Sequence, residues 1–155
     1  MKKYLDKVQT IESTIEALYA VMAGKKGEAR DWDLLRYLCH ADAKMIRYEK
    51  DLQGVICAQY LSPDDYINSI GKWIETKRET GFYETEIHKV VNTFGSMAHV
   101  WSTSESFHNE FDKESYVRNI HSFQLVNHDN RWWIINLYWT RETPTNPIPK
   151  EYLPK

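Results

Sequence analysis

The 155-residue chain reads as α+β. A curved antiparallel sheet is predicted to wrap around three helices in a cone, in the order ααββαββββ. Three observations predict it. Apolar residues recur at steps of three or four in three separate stretches of the first half. From residue 82 onward the period changes to two. Turn residues then cut the second half into four long segments, as an antiparallel sheet requires. Each amphipathic helix has one face to bury, and a sheet with a half-polar face needs cover on the other side.

The first helix is predicted over residues 4–23. Leu5, Val8, Ile11, Ile15, Leu18 and Met22 form its stripe, with Gln9, Glu12 and Glu16 on the opposite face. Gly24 ends it, and Lys25-Lys26-Gly27 makes a turn. A shorter helix runs from Trp32 to His40, with Asp31 as N-cap and Leu34, Leu35 and Leu38 as its apolar side. Two short strands, 44–49 and 55–60, flank a turn at 50–54. Ser62-Pro63-Asp64-Asp65 starts the third helix: Ser62 caps, Pro63 suits the first helical position, and both acids favour the positive end of the helix dipole. Tyr66, Ile67, Ile70, Trp73, Ile74 and Lys77 share a face, and Gly81 closes the helix. Four strands follow at 82–92, 96–107, 116–127 and 131–141. Residues 142–155 contain Pro144, Pro147, Pro149 and Pro154, so this tail is extended. Tyr152 and Leu153 are placed to pin it to the body. Neither repeat nor low-complexity segment interrupts the chain, which reads as one domain, 1–155.

Composition narrows the function. Apolar residues make up 42% and charged residues 27%, as in globular domains. Six Trp and ten Tyr supply either a large core or the walls of a cavity. A net charge of −2 gives no electrostatic reason to bind nucleic acid. No stretch approaches the ~20 apolar residues of a membrane span. Asp6, Lys7, Gln9 and Glu12 interrupt any secretory apolar segment near the start, so a cytoplasmic address is expected. Cys39 and Cys57 are expected to be buried thiols rather than a disulfide framework.

Candidate chemistry lies on the strands. Directly opposed residues of a hairpin share a face. In the hairpin around Gly95, pairing His88 with either Trp101 or His99 puts Glu84, Glu86, His88, His99, Trp101 and Thr103 together. His88, His99 and Glu86 are therefore the candidate acid–base groups, with hydrogen-bonded sheet residues as the plain alternative. No HxH, HExxH or CxxC spacing supports a metal, and no phosphate loop or nucleophile elbow occurs, so neither metal nor cofactor is expected. In the next hairpin, Asp129-Asn130 reads as a two-residue turn. That sets Gln124 with Trp133, Leu137 and Trp139 on one face, and His121 with Trp132, Asn136 and Tyr138 on the other, unless a β-bulge intervenes. Small-molecule sites combine aromatic walls with a few polar groups. The expected ligand-binding set is Tyr48, His99, Trp101, Gln124, Asn136 and Trp139. Asn119 and His121 replace the polar members if the register differs. Arg118 and Arg131 read as surface charge.

The element order, with the segments Gly81–Ile87, Gly95–Ser102, Ser122–Val126 and Arg131–Ile135 and the Pro147–Leu153 ending, resembles the nuclear transport factor 2-like superfamily. That superfamily includes ketosteroid isomerase and the polyketide-cyclase-like (SnoaL-like) proteins, and the local text is similar to bacterial members of unassigned function. The resemblance implies a cone with a pocket between the sheet and the first helices, and homodimers through the outer sheet face. It does not carry isomerase activity over. That chemistry needs a carboxylate base from the first strand after helix two, and Arg47 stands nearest that position. The leading expectation is a protein that binds a small apolar or aromatic molecule. The alternatives are a proton-transfer or hydrolytic enzyme using His88 or His99, and a dimeric interaction module.

Overall fold

The computed structural model describes residues 2–155. The first apolar stripe folds in two pieces rather than as one helix over 4–23: a 3-10 helix, Lys2–Val8, and helix α1, Ile11–Met22. The break has a local cause. Thr10 Oγ1 accepts from Ser13 N at 3.0 Å and Ser13 Oγ accepts from Thr10 N at 3.2 Å, a reciprocal cap that fixes the helix start. At the other end, the Arg30 guanidinium donates to the carbonyls of Met22, Gly24, Lys25 and Glu28 and so satisfies the exit from α1. A Cβ on Gly24 would lie 2.5 Å from Arg30 Nη1, so this close approach requires glycine.

Helix α2, Trp32–Leu38, is capped by the Asp31 carboxylate. It stops two residues before His40 because Cys39 already opens strand β1, Cys39–Lys50. Strand β2, Ile56–Leu61, lies beside it. Helix α3, residues 63–76, starts at the Ser62 cap and passes through a π-helical turn, Ile67–Gly71. That turn sits against α2. A Cβ on Gly71 would come within 2.8 Å of the Trp32 ring. The helix ends at Thr76, ahead of the expected stop at Gly81.

Strands β3 (Tyr83–Phe94), β4 (Met97–Phe107), β5 (Val117–His128) and β6 (Arg131–Arg141) complete a six-stranded sheet in the order β2-β1-β6-β5-β4-β3. The sheet is curved and antiparallel, as predicted, with one exception. β6 returns to lie parallel to β1, pairing Met45 with Leu137 and Arg47 with Trp139. The β5–β6 turn has φ 56° at Asp129 and 58° at Asn130, the left-handed pair that a two-residue hairpin demands.

One sheet face carries the helices. Val100, Phe123, Leu125 and Ile134 there meet Ile15, Leu35 and Leu38 in a fully buried core. The other face is partly covered by the tail. Residues 142–155 are extended except for a 3-10 turn, Lys150–Tyr152. Thr103 Oγ1 donates to the Tyr152 carbonyl at 2.7 Å, and the Trp101 and Tyr152 rings lie 5.2 Å apart.

Two expectations about single residues are corrected. Cys39 is buried, and burial pushes its thiol up to about 12, but Cys57 is exposed because β2 is an edge strand. Arg131 is buried rather than on the surface, held between the rings of Tyr37 at 4.1 Å and Trp133 at 3.6 Å.

Candidate ligand cavity

The concave sheet face and the helices do not close completely. Between them lies a cavity of about 540 Å³, within the range of small-molecule sites. Leu18, Tyr19 and Met22 of α1 form one wall, and Tyr66, Ile70, Trp73 and Ile74 of α3 another. Met45, Arg47, Leu137 and Trp139 come from the paired strands β1 and β6. Glu84 of β3, Asn119 and His121 of β5, and Arg78 after α3 supply polar groups.

Two β-bulges decide which side chains reach this space. In β3, Glu86 pairs with Ser104 but His88 pairs with Thr103, so Ile87 is extra. The alternation inverts there. Glu84 and Glu86 therefore point to the buried face while His88 joins Thr103, Trp101 and His99 on the other, so the expected grouping of all six is corrected. In β6, Leu125 pairs with Ile134 and Gln124 with Asn136, so Ile135 is extra. This brings Leu137 and Trp139 onto the face of Phe123 and His121. Asn136 and Tyr138 move to the outer face with Ser122 and Gln124.

The inner face carries a continuous polar chain. Lys89 Nζ donates to Glu86 Oε1 at 3.1 Å, and Ser102 Oγ donates to Glu86 Oε2 at 2.5 Å. Tyr19 OH lies 2.7 Å from Ser102 Oγ and 3.3 Å from His121 Nδ1. His121 Nε2 lies 3.6 Å from Glu84 Oε1. Glu84 also accepts from Ser104 Oγ at 2.5 Å and Asn119 Nδ2 at 3.2 Å.

Proton counting sets the directions. Ser102 gives its one proton to Glu86, so Tyr19 must donate to Ser102. His121 Nδ1–H is then the donor to the Tyr19 oxygen. Nε2 faces Glu84, so a proton carried there sits between ring and carboxylate. Burial, reinforced by the nearby Glu84 charge, holds the Tyr19 hydroxyl well above its ordinary value of 10.0, so it remains a neutral donor.

Of the expected ligand-binding residues, Trp139 lines the cavity. Tyr48 lies on the outer face against Tyr138, with ring centroids 6.1 Å apart. His99 bonds Ser122 Oγ at 2.9 Å and meets Trp101 edge-on at 5.2 Å, both away from the cavity. Burial lowers the His99 pKa. Gln124 and Asn136 face each other on that same side. Glu86 reaches the inner polar chain, whereas His88 does not. Asn119 and His121, the polar members expected if the register differed, do line the cavity, whereas Glu84, Arg47 and Arg78 as lining residues emerge only from the tertiary structure. Among the described residues, no three His, Cys, Asp or Glu side chains come together to hold a metal.

No protein-family model matches the chain, and no curated protein is similar to it in sequence. Solved structures are similar in shape. A protein of unknown function from Pseudomonas putida, described as nuclear transport factor 2-like, aligns with a TM-score of 0.65 at 12% identity, over 93% of this chain and 94% of that one. A cystatin-like-fold protein of unknown function from Nostoc punctiforme aligns at 0.63 and 10% identity, over 86% and 90%. This chain has the nuclear transport factor 2-like, or cystatin-like, fold. A candidate ketosteroid isomerase from Shewanella frigidimarina shares that fold, with a TM-score of 0.56 at 18% identity over 82% of this chain and 91% of that one. At such identities the likeness speaks for the nuclear transport factor 2-like architecture alone. Among the described residues, no helix is long and apolar enough to cross a membrane.

Proposed function

We propose that this protein binds a small, largely apolar molecule in the cavity between its sheet and helices. The observation that carries the reading is the cavity itself: about 540 Å³, walled by Leu18, Met22, Ile70, Trp73, Leu137 and Trp139, with a few convergent polar groups. The neutral dye N-phenylnaphthylamine should bind saturably and brighten. Ile70→Trp, which adds bulk at the half-buried cavity wall, should weaken binding at least tenfold while leaving the thermal midpoint within a few degrees. Binding that survives this substitution unchanged would place the dye elsewhere and defeat the reading.

A proton-transfer enzyme is the second reading, and the Glu84–His121–Tyr19 chain on the cavity wall favours it. These residues take the place of His88 and His99 as candidate bases. Incubated with cyclohexenone in heavy water, the protein should speed exchange of the protons next to the carbonyl, and His121→Asn should remove the effect. Exchange no faster than in buffer would sink this version for that substrate class.

We further propose that two copies pair through the outer sheet face, where Tyr60 and Tyr138 are exposed around Tyr48. Light scattering should give twice the monomer mass, and Tyr60→Lys with Tyr138→Lys should return it to the monomer value.

A further inference from the structure

The cavity's charge runs against that of the whole chain. The protein carries a net charge of −2, yet the cavity is lined by three arginines, Arg47, Arg78 and Arg141, and by one carboxylate, Glu84. Two of the three arginines are already engaged: Glu49 accepts from Arg47 and lies 3.8 Å from Arg141. Arg78 is different. It makes no ion pair among the described residues.

Its neighbours hold the Arg78 guanidinium in place without neutralising it. Nε donates to the Gly81 carbonyl at 3.2 Å, and Nη2 reaches the Tyr116 hydroxyl at 3.0 Å and His108 Nδ1 at 3.2 Å. The cation lies 5.5 Å from the centre of the Phe82 ring and 5.3 Å from that of Tyr116. Nη1 has no hydrogen-bond partner among the described residues. A half-buried cation braced by two rings, with donors left over, is preorganised to receive a planar or tetrahedral anion. Most of the remaining lining is apolar or aromatic, with Gln59, Ser69, Ser106, Asn119 and His121 as its other polar members.

Resting on the reading of the cavity as a ligand site, we propose that its ligand is an amphipathic anion: an apolar body between sheet and helices, with an acidic group bound by Arg78. A carboxylate, sulfonate or phosphate shares the required chemistry.

Two dyes with a common aromatic body separate the terms. Anilinonaphthalene sulfonate carries an anionic group that N-phenylnaphthylamine lacks. The sulfonate should bind about tenfold more tightly, the scale of one charge-assisted hydrogen bond. Arg78→Met should abolish this preference while leaving N-phenylnaphthylamine binding intact, and Arg78→Lys should restore part of it. Arg36→Met, on α2 outside the cavity, should change neither dye. Equal affinities for the two dyes, or a sulfonate preference that survives Arg78→Met, would overturn the inference and leave the apolar site standing. If neither dye binds, the ligand site itself fails, and this inference with it. Should Arg78→Met lose the neutral dye through misfolding, the unchanged protein decides. Added salt should weaken sulfonate binding and spare the neutral dye, and insensitivity to salt would count against the proposal.

Discussion

Replacing Phe123 with alanine is expected to lower the free energy of unfolding by about 3–5 kcal/mol. Phe123 is fully buried at the centre of the sheet. Its strand neighbours in register are Val100 on β4 and Leu137 on β6, themselves buried. Helices cover it from above, so the lost ring leaves a cavity that neither the sheet nor α1 can close without breaking other contacts. Urea unfolding at neutral pH measures the change. Phe94→Ala is the control: Phe94 is 86% exposed, and its loss should shift stability by no more than about 0.5 kcal/mol. A loss below about 1 kcal/mol for Phe123→Ala would mean that the sheet does not pack as described.

Glu75→Ala should cost about 3 kcal/mol, since it strips the partners from two buried donors at about 1–3 kcal/mol each. Glu75 Oε2 accepts from Arg30 N at 2.9 Å and Trp32 Nε1 at 2.8 Å, and Oε1 pairs with Lys72 at 2.9 Å. One carboxylate thus ties the loop after α1, the start of α2 and the end of α3 together. The same residue predicts a pH dependence. Burial alone would raise its pKa, but the hydrogen bonds from Arg30, Lys72 and Trp32 outweigh it and hold Glu75 below its ordinary 4.5. A carboxyl depressed in the folded state adds stability that is complete above pH 4.5 and is lost as pH falls through the lower folded value. The gap between the original protein and Glu75→Ala should therefore be widest near neutral pH and narrow in acid. A gap that widens on acidification would contradict the geometry.

Much of the fold was written locally. Ser62-Pro63-Asp64-Asp65 started a helix because cap, proline and acids act within one turn. Asp129-Asn130 made its turn because both residues tolerate positive φ. The four long strands were legible because alternation is a property of neighbours in sequence. The break at Thr10 was less visible, since the apolar stripe continues across it and only the reciprocal bond with Ser13 stops the helix.

The site was legible to a smaller degree. His121, Asn119 and Trp139 were each within view, yet which of them share a face depended on single extra residues at Ile87 and Ile135. Those isoleucines look like their neighbours, and nothing in their side chains marks a bulge. Curvature of the whole sheet around its helices sets where a strand must gain a residue, and that is a long-range demand. That helices would cover an aromatic, alternating sheet follows from the order of residues alone, because side-chain period and turn chemistry are local. That Glu84 meets His121 over a cavity while His88 and His99 turn away was settled in three dimensions, because a one-residue shift inverts every later side chain and packing alone chooses where it falls.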